Sequence, residues 1–382
     1  MKRPFFRRFR KVSILLSFLL FTASIQAQDT YTVYLIGDAG EHTEPGKALL
    51  SLKKELEANP GSTVVFLGDN VYPKGVYPEG ETARADNPKL HAQMEMVRQF
   101  KGNAIFIPGN HDWKKGKRGG YKQILRQADT VNFNLGQYQL SNKANGIPDY
   151  FYPKSALPGP DAFDLTDNLK LVILDSEWFL HDILFHRIGK NEGESKKSTE
   201  RKFFADLHRI LEEAAGKNQS VLVAGHHPLM SVGGHGKAKG LPRFLVNYTP
   251  FQVFGLIGLN RYFVQDIPQP RYLNYRNRML EAFEKYYFEK GGKNLVYAAG
   301  HEHNLQHWKK EGFNHIVSGS GSKSSHFHKE ALDHRWNQYA KLEWPVFEGE
   351  EELEAYTGYF KVTFKAGERP IVERFDIEIV EH

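Results

Sequence analysis

The chain has 382 residues, 40% of them apolar and 25% charged, which excludes a disordered or collagen-like polypeptide and allows one large domain or two ordinary ones. It contains no cysteine, so disulfides, thiolate metal sites, iron–sulfur clusters, a cysteine nucleophile and a lipid-modified N-terminal cysteine are all excluded. The net charge of +6 resides in Lys2, Arg3, Arg7, Arg8, Arg10 and Lys11; without residues 1–27 it falls to zero, so charge gives no argument for nucleic-acid binding.

Those six basic residues precede an apolar run from Val12 to Ile25, and small residues and Ala27 follow. This is the order of a secretory signal peptide, which predicts cleavage after Ala27 and an exported, periplasmic or secreted product. The run falls short of the roughly 20 residues that span a bilayer, so no stable membrane anchor is expected.

From residue 28 to 382 one arrangement recurs, and the segment reads as a single domain. A short apolar run ends in Gly or Ser and a polar cluster follows at once. Tyr31–Ile36 leads into Gly37-Asp38-Ala39-Gly40, and Thr63–Leu67 into Gly68-Asp69-Asn70-Val71-Tyr72. Ala104–Pro108 leads into Gly109-Asn110-His111-Asp112, and Ser220–Ala224 into Gly225-His226-His227-Pro228. Asn294–Ala299 leads into Gly300-His301-Glu302-His303, and His315–Val317 into Ser318-Gly319-Ser320-Gly321. The runs are continuous rather than alternating, as strands buried on both faces read. Apolar residues at helical spacing predict helices over 47–57, 90–100 and 200–215. Strands alternating with helices indicate an α/β fold, and ligands in such folds gather beyond the carboxyl ends of the strands, where every polar cluster sits. Residues 114–160 read as long loops. Residues 236–275 are aromatic but broken by Pro and Asn, and read as a lid or insertion at the site mouth. Residues 356–380 read as two C-terminal strands around Ala366-Gly367.

Each cluster alone is a weak signal, because Gly-Asp is ordinary turn chemistry and an isolated His-x-His is as often structural as not. Several in order, each ending a strand, read as a metal site. Phosphate ester hydrolysis needs charge neutralisation, a hydroxide at working pH and in-line geometry, and two metals about 3.5–4 Å apart supply all three. The inventory of carboxylate, imidazole and amide oxygen suits hard or borderline ions. His301 and His303 are read as lying on an extended segment, with both rings on the same side.

The order Gly-Asp-x-Gly, Gly-Asp-Asn-x-Tyr, Gly-Asn-His-Asp, Val-x-x-His and Gly-His-x-His resembles the calcineurin-like metallophosphoesterase superfamily, over about residues 31–321. Within it the chain resembles the purple acid phosphatases, particularly the small tartrate-resistant type. Most of the superfamily carries Asp-x-His in the first block. Gly40 stands at that His position, His42 is too far along, and Tyr72 stands where the purple family places a tyrosinate. The sequence departs from that type at Ala39, where Trp is usual, and in a longer spacing from His226 to His301.

The resemblance implies a layered α/β/β/α sandwich with mixed central sheets flanked by helices. It implies that Asp38, Tyr72 and His303 hold a ferric ion, and that Asn110, His226 and His301 hold a divalent ion, Fe(II), Zn or Mn, with Asp69 bridging. His111 and His235 resemble histidines that bind phosphate and protonate the leaving group, and Asp112 would orient His111. Asp175 falls at the end of a further strand. His227 reads as structural with its side chain turned away, and Glu302 as structural; His315, His326 and His328 read as loop residues. The partner is a small phosphorylated substrate and the reaction is monoester hydrolysis. The alternatives are a phosphodiesterase, pyrophosphatase or nucleotidase using the same site; a binding protein on an inactive phosphoesterase fold would have lost ligands that this chain keeps.

Overall fold

Continuous apolar runs become strands covered on both faces in the computed structural model, which describes residues 30–76, 81–138, 146–180, 195–236, 265–333, 346–347 and 355–377. The signal segment 1–27 and residues 237–264 of the expected lid lie outside the described residues. The first sheet has five strands: β1 (Thr30–Ile36), β2 (Thr63–Phe66), β3 (Asn103–Phe106), β11 (Thr357–Lys365) and β12 (Ile371–Ile377), in the order β12-β11-β1-β2-β3. The second has seven: β4 (Asp161–Thr166), β5 (Leu169–Ile173), β6 (Ser220–Ala224), β7 (Leu295–Ala299), β8 (Leu305–Lys310), β9 (Phe313–Ser318) and β10 (Val346–Phe347), in the order β10-β8-β9-β7-β6-β5-β4. β1, β2 and β3 run parallel, as do β5, β6, β7 and β9, while the outer pairs of both sheets are antiparallel apart from the β2–β3 edge. Both sheets are therefore mixed.

Alternation along each strand explains the burial. Val33, Leu35, Val65 and Ile105 from the first sheet share one apolar cluster with Leu171, Ile173, Leu222 and Val296 from the second, so these faces form the layer between the sheets. The alternate residues Tyr34, Ile36, Val64 and Phe66 pack outward with Leu49, Leu52 and Leu56 of α1 (Lys47–Ala58). Val172, Val221 and Val223 pack outward with α5 (Lys196–Gly216) and α6 (Pro270–Phe288). The layered α/β/β/α sandwich with mixed sheets is thus the observed fold.

Two assignments change. Residues 114–160 are not all loop: α3 spans Gly120–Gly136. Its buried stripe is Gly120, Gln123, Ile124, Gln127, Val131 and Leu135, at helical spacing but with two glutamines in it, so apolar periodicity alone passes over it. Gln123 is buried because its amide donates to the carbonyls of Lys74 and Val76. Helix α2 (Glu81–Val97) starts nine residues before the predicted Leu90, with Pro88 inside it. The short α4 is Glu177–Leu180. The C-terminal strands are as predicted.

Candidate metal centre

The parallel strands of both sheets end at one edge. The first sheet delivers Asp38 after β1, Asp69 and Tyr72 after β2, and Asn110 after β3; the second delivers His226 after β6, and His301 and His303 after β7. Asp38, Asp69 and His301 have left-handed backbones, with φ of 57°, 53° and 70°. Such residues cost on the order of 1–3 kcal/mol each and persist where surrounding bonds over-determine them. Here Asp38 N–H donates to Gly68 O at 2.9 Å, and His301 N–H donates to Asp38 Oδ2 at 2.7 Å.

The seven side chains fall into two groups around Asp69. In one, the Tyr72 hydroxyl donates to Asp38 Oδ1 at 2.7 Å and lies 3.1 Å from His303 Nε2. In the other, Asn110 Oδ1 lies 3.1 Å from His226 Nε2 and 3.3 Å from His301 Nδ1. Asp69 lies between them: its Oδ1 is 3.5 Å from His226 Nε2, and ligand atoms of Asp38, Asp69 and His226 all lie within 4.8 Å of one another. Ring orientation in the second group is fixed from behind. His226 Nδ1–H donates to Leu67 O at 2.8 Å and His301 Nε2–H donates to Gln265 O at 3.2 Å, which leaves His226 Nε2 and His301 Nδ1 facing inward as lone-pair donors.

These residues fit a pair of cations. Asp38 and Asp69 are buried, and among the described residues their only ion-pair partners are histidines. The Asn110 oxygen faces the two Asp69 carboxylate oxygens at 3.2 and 3.3 Å. That packing of lone pairs is repulsive until a cation enters or the amide turns to present its NH₂. Burial opposes charge on His226, but Asp69 and Asp38 outweigh it and push its pKa up, which shows the pull of these carboxylates on positive charge. Burial and the carboxylates of Asp38 and Asp69 push the Tyr72 phenol well up, which keeps it a hydrogen-bond donor until a metal reverses that balance.

Gly40 limits which side chains can reach this centre. A Cβ there would lie 2.3 Å from the carbonyl carbon and oxygen of Asn70, so no side chain fits. The close approach is made by a hydrogen bond of 3.0 Å from Tyr72 N–H to Gly40 O. The same contact that excludes a histidine from the first block brings Tyr72 to Asp38.

Four expectations are corrected. The segment carrying His301 and His303 is bent rather than extended, while the two rings fall in the two different groups to which they were assigned. His227 does not turn away: it packs against the His301 ring at 4.5 Å between centroids, with Nδ1 accepting from Ser176 Oγ at 2.8 Å and Nε2 3.5 Å from Glu177. Because Ser176 also accepts from the main-chain N–H of His226 and His227, this buried set holds the β6 turn in place. His315 is a buried β9 residue, not a loop residue, and its Nε2 accepts from Leu229 N–H at 2.9 Å. Asp112 does not touch His111. Its carboxylate accepts from the N–H groups of Gly109, Asn70 and Val71 and from the Asn70 amide, pinning the turns after β2 and β3 together. Asp112→Ala is therefore expected to lower unfolding free energy by about 3 kcal/mol or more, through several orphaned buried donors. A denaturation midpoint close to wild type would contradict this.

His111 is oriented instead by Pro73. Its Nδ1–H donates to the Pro73 carbonyl at 2.7 Å, which leaves Nε2 directed at Asp69 Oδ2, 3.9 Å away. His235 sits in a single 3-10 turn, 4.3 Å from the His301 ring, and its Nδ1 is 2.9 Å from the buried Asp266. Glu302 accepts from Ser231 Oγ and His235 N–H, a structural role as expected. Asp175 accepts from Trp113 Nε1 at 2.7 Å. Sequence reading did not find Ser176, Glu177, Gln265 or Asp266. They belong to no motif, and the last two lie in the segment read only as a lid.

The sequence profile of the calcineurin-like phosphoesterases matches residues 31–305. None of the curated proteins compared matches the chain by sequence. Among solved structures, GAP50, the anchor in the inner membrane complex of Plasmodium, is 15% identical with a TM-score of 0.51, covering 91% of this chain and 84% of that one. A dimetal phosphatase from Danio rerio is 12% identical with a TM-score of 0.44 over 90% and 95% of the chains. PhoD is 13% identical with a TM-score of 0.48 over 88% and 64%. At 15% identity the likeness to GAP50 is one of fold alone.

Proposed function

Because this chain belongs to the calcineurin-like phosphoesterase family, we propose that it hydrolyses phosphate monoesters with two metal ions, in the manner of the purple acid phosphatases. Metal-dependent phosphoester hydrolysis is the chemistry that the family and the donor set support together. The finer reading rests on one observation: Tyr72 faces Asp38 and His303 where the contact between Gly40 and Asn70 leaves no room for a histidine. In this reading Asp38, Tyr72 and His303 hold a ferric ion, Asn110, His226 and His301 hold Fe(II), Zn or Mn, and Asp69 bridges. Two such cations neutralise the phosphate oxygens and lower the pKa of the attacking water. The chain's own groups do the rest. His111, held by Pro73 O, binds the phosphate and passes a proton to the leaving oxygen from Nε2. His235, backed by Asp266, faces the same phosphate from the other side.

The substrate is a small phosphorylated molecule, and the reading includes no nucleic-acid partner. Export rests on the basic–apolar–small order of residues 1–27. Among the described residues no helix is long and apolar enough to cross a membrane.

Colour tests the ferric assignment. The protein loaded with iron is expected to be purple or pink, from charge transfer between a Tyr72 phenolate and iron. Tyr72→Phe is expected to lose the visible band while keeping its circular dichroism. An iron-loaded, active and colourless wild-type protein would overturn the tyrosinate assignment.

A further inference from the structure

We propose that Gln265, itself held by Glu177, fixes the Asn110 amide with its oxygen turned towards the metal centre. This positioning role rests on the dinuclear phosphoesterase reading of the site.

Among the seven donors Asn110 alone carries a carboxamide, whose two ends are alike in shape and opposite in chemistry. The oxygen can bind a cation and the NH₂ cannot, so Asn110 is a ligand in only one of its two orientations. The Asp69 side does not select that orientation. Asn110 Oδ1 lies 3.2 and 3.3 Å from the two Asp69 oxygens, and without a cation an inward NH₂ would suit those lone pairs better. The selection comes from behind. Asn110 Nδ2 lies 2.9 Å from Gln265 Oε1, and turning the Asn110 amide would set two oxygens against each other there.

That contact has a direction only if Gln265 cannot turn as well, and buried groups prevent it. Gln265 Nε2 donates to both oxygens of Glu177, at 2.7 and 2.6 Å, so a turned Gln265 would press its own oxygen against them. Gln265 Oε1 also lies 3.5 Å from His227 Nε2. Ser176 Oγ accepts from the main-chain N–H groups of His226 and His227 and gives its own proton to His227 Nδ1. The His227 ring therefore presents Nε2–H to Gln265 Oε1 and to Glu177. Glu177 is fully buried at the start of α4. Burial pushes its carboxyl up to about 8, the Gln265 amide and positive charge at His226 draw it back towards the carboxylate, and a cation beside His226 would pull the same way.

The hydrogen bonds thus run one way, from Asn110 to Gln265 to Glu177, and the last acceptor sets the polarity of both amides. Gln265 also accepts from His301 Nε2–H at its main-chain carbonyl, 3.2 Å away. One residue outside every motif aligns two donors of the same group, as outer partners of metal ligands do.

The test measures zinc affinity in full-length protein already holding one iron per chain, with both metals counted. Gln265→Met keeps the main-chain carbonyl that aligns His301 and removes only the amide. It is expected to weaken zinc binding roughly 10- to 100-fold and to keep its iron. In the Asn110→Asp background the ligand presents an oxygen either way round, so Gln265→Met should there cost less than about threefold. Glu177→Gln frees the Gln265 amide to turn and should show the same pattern with a smaller loss; it decides the matter if circular dichroism shows Gln265→Met to be unfolded. Zinc affinity within twofold of wild type in the folded variant overturns the proposal. So does an equal loss in both backgrounds, which would place the effect in packing or at His301. A wild-type protein that takes up no second metal overturns the dinuclear reading instead.

Discussion

Asp69→Ala is expected to lose about 10⁴-fold or more in turnover and to bind neither metal, because one residue then removes both charge neutralisation and the activated water. Asp69 is the residue that both donor groups share. Burial works against its ionisation, yet His226, His111, the His111 N–H and the Tyr72 hydroxyl hold its pKa well below the usual carboxylate range. Alanine leaves those donors facing a void and, on the proposed assignment, leaves Asn110, His226 and His301 with nothing to draw a second ion towards the first. Asn110→Ala touches one group only and should retain one metal. Metal analysis per chain, with circular dichroism to confirm folding, separates the two. Two metals per chain in Asp69→Ala would remove the bridging role.

His111→Ala is expected to keep both metals and lose on the order of 10²-fold or more in kcat, as for removal of a positioned general acid. The main-chain N–H of residue 111, which donates to Asp69 Oδ1 at 2.8 Å, survives the substitution, so the Asp69 carboxylate stays oriented. The pH profile should also change, with a definite sign. Burial lowers the His111 pKa; Asp69 and the Pro73 carbonyl oppose this, Lys115 and Lys323 reinforce it, and the net value lies below 6.5. An acid works only while protonated, so wild-type turnover should decline as pH rises through that low pKa, and the variant should lose the decline. Near-normal turnover with an unchanged profile would show that the leaving group takes its proton elsewhere.

Much of this centre was legible because its signals are local. A strand buried on both faces must be apolar throughout, and Val64–Phe66 or Val221–Ala224 say so without a partner in view. The polar residues then follow from where strands end. What failed needed knowledge of the third dimension. Asp112 seemed placed to hold its neighbour His111, but four N–H groups from two turns converge on it, and no sequence reveals the direction of an amide. His301 and His303 were paired by strand alternation, which ceases to apply once φ at His301 becomes positive. Gln265 and Asp266 orient His301 and His235 from a segment without periodicity, so only proximity identifies them. Helix α3 was hidden because its inward stripe spends two positions on glutamine.

The missing side chain at Gly40 also limits how this centre can change. A histidine placed at position 40 would drive a side chain into the Asn70 peptide, 2.3 Å from where its first carbon must sit. Making room means lifting the Asn70–Tyr72 segment, and Asp112 fastens that segment to the turn bearing Asn110. Whether a side chain can stand at position 40 is therefore not settled by a single substitution. It is a joint property of two loops, and an engineer who wants a side chain at position 40 must redesign both together.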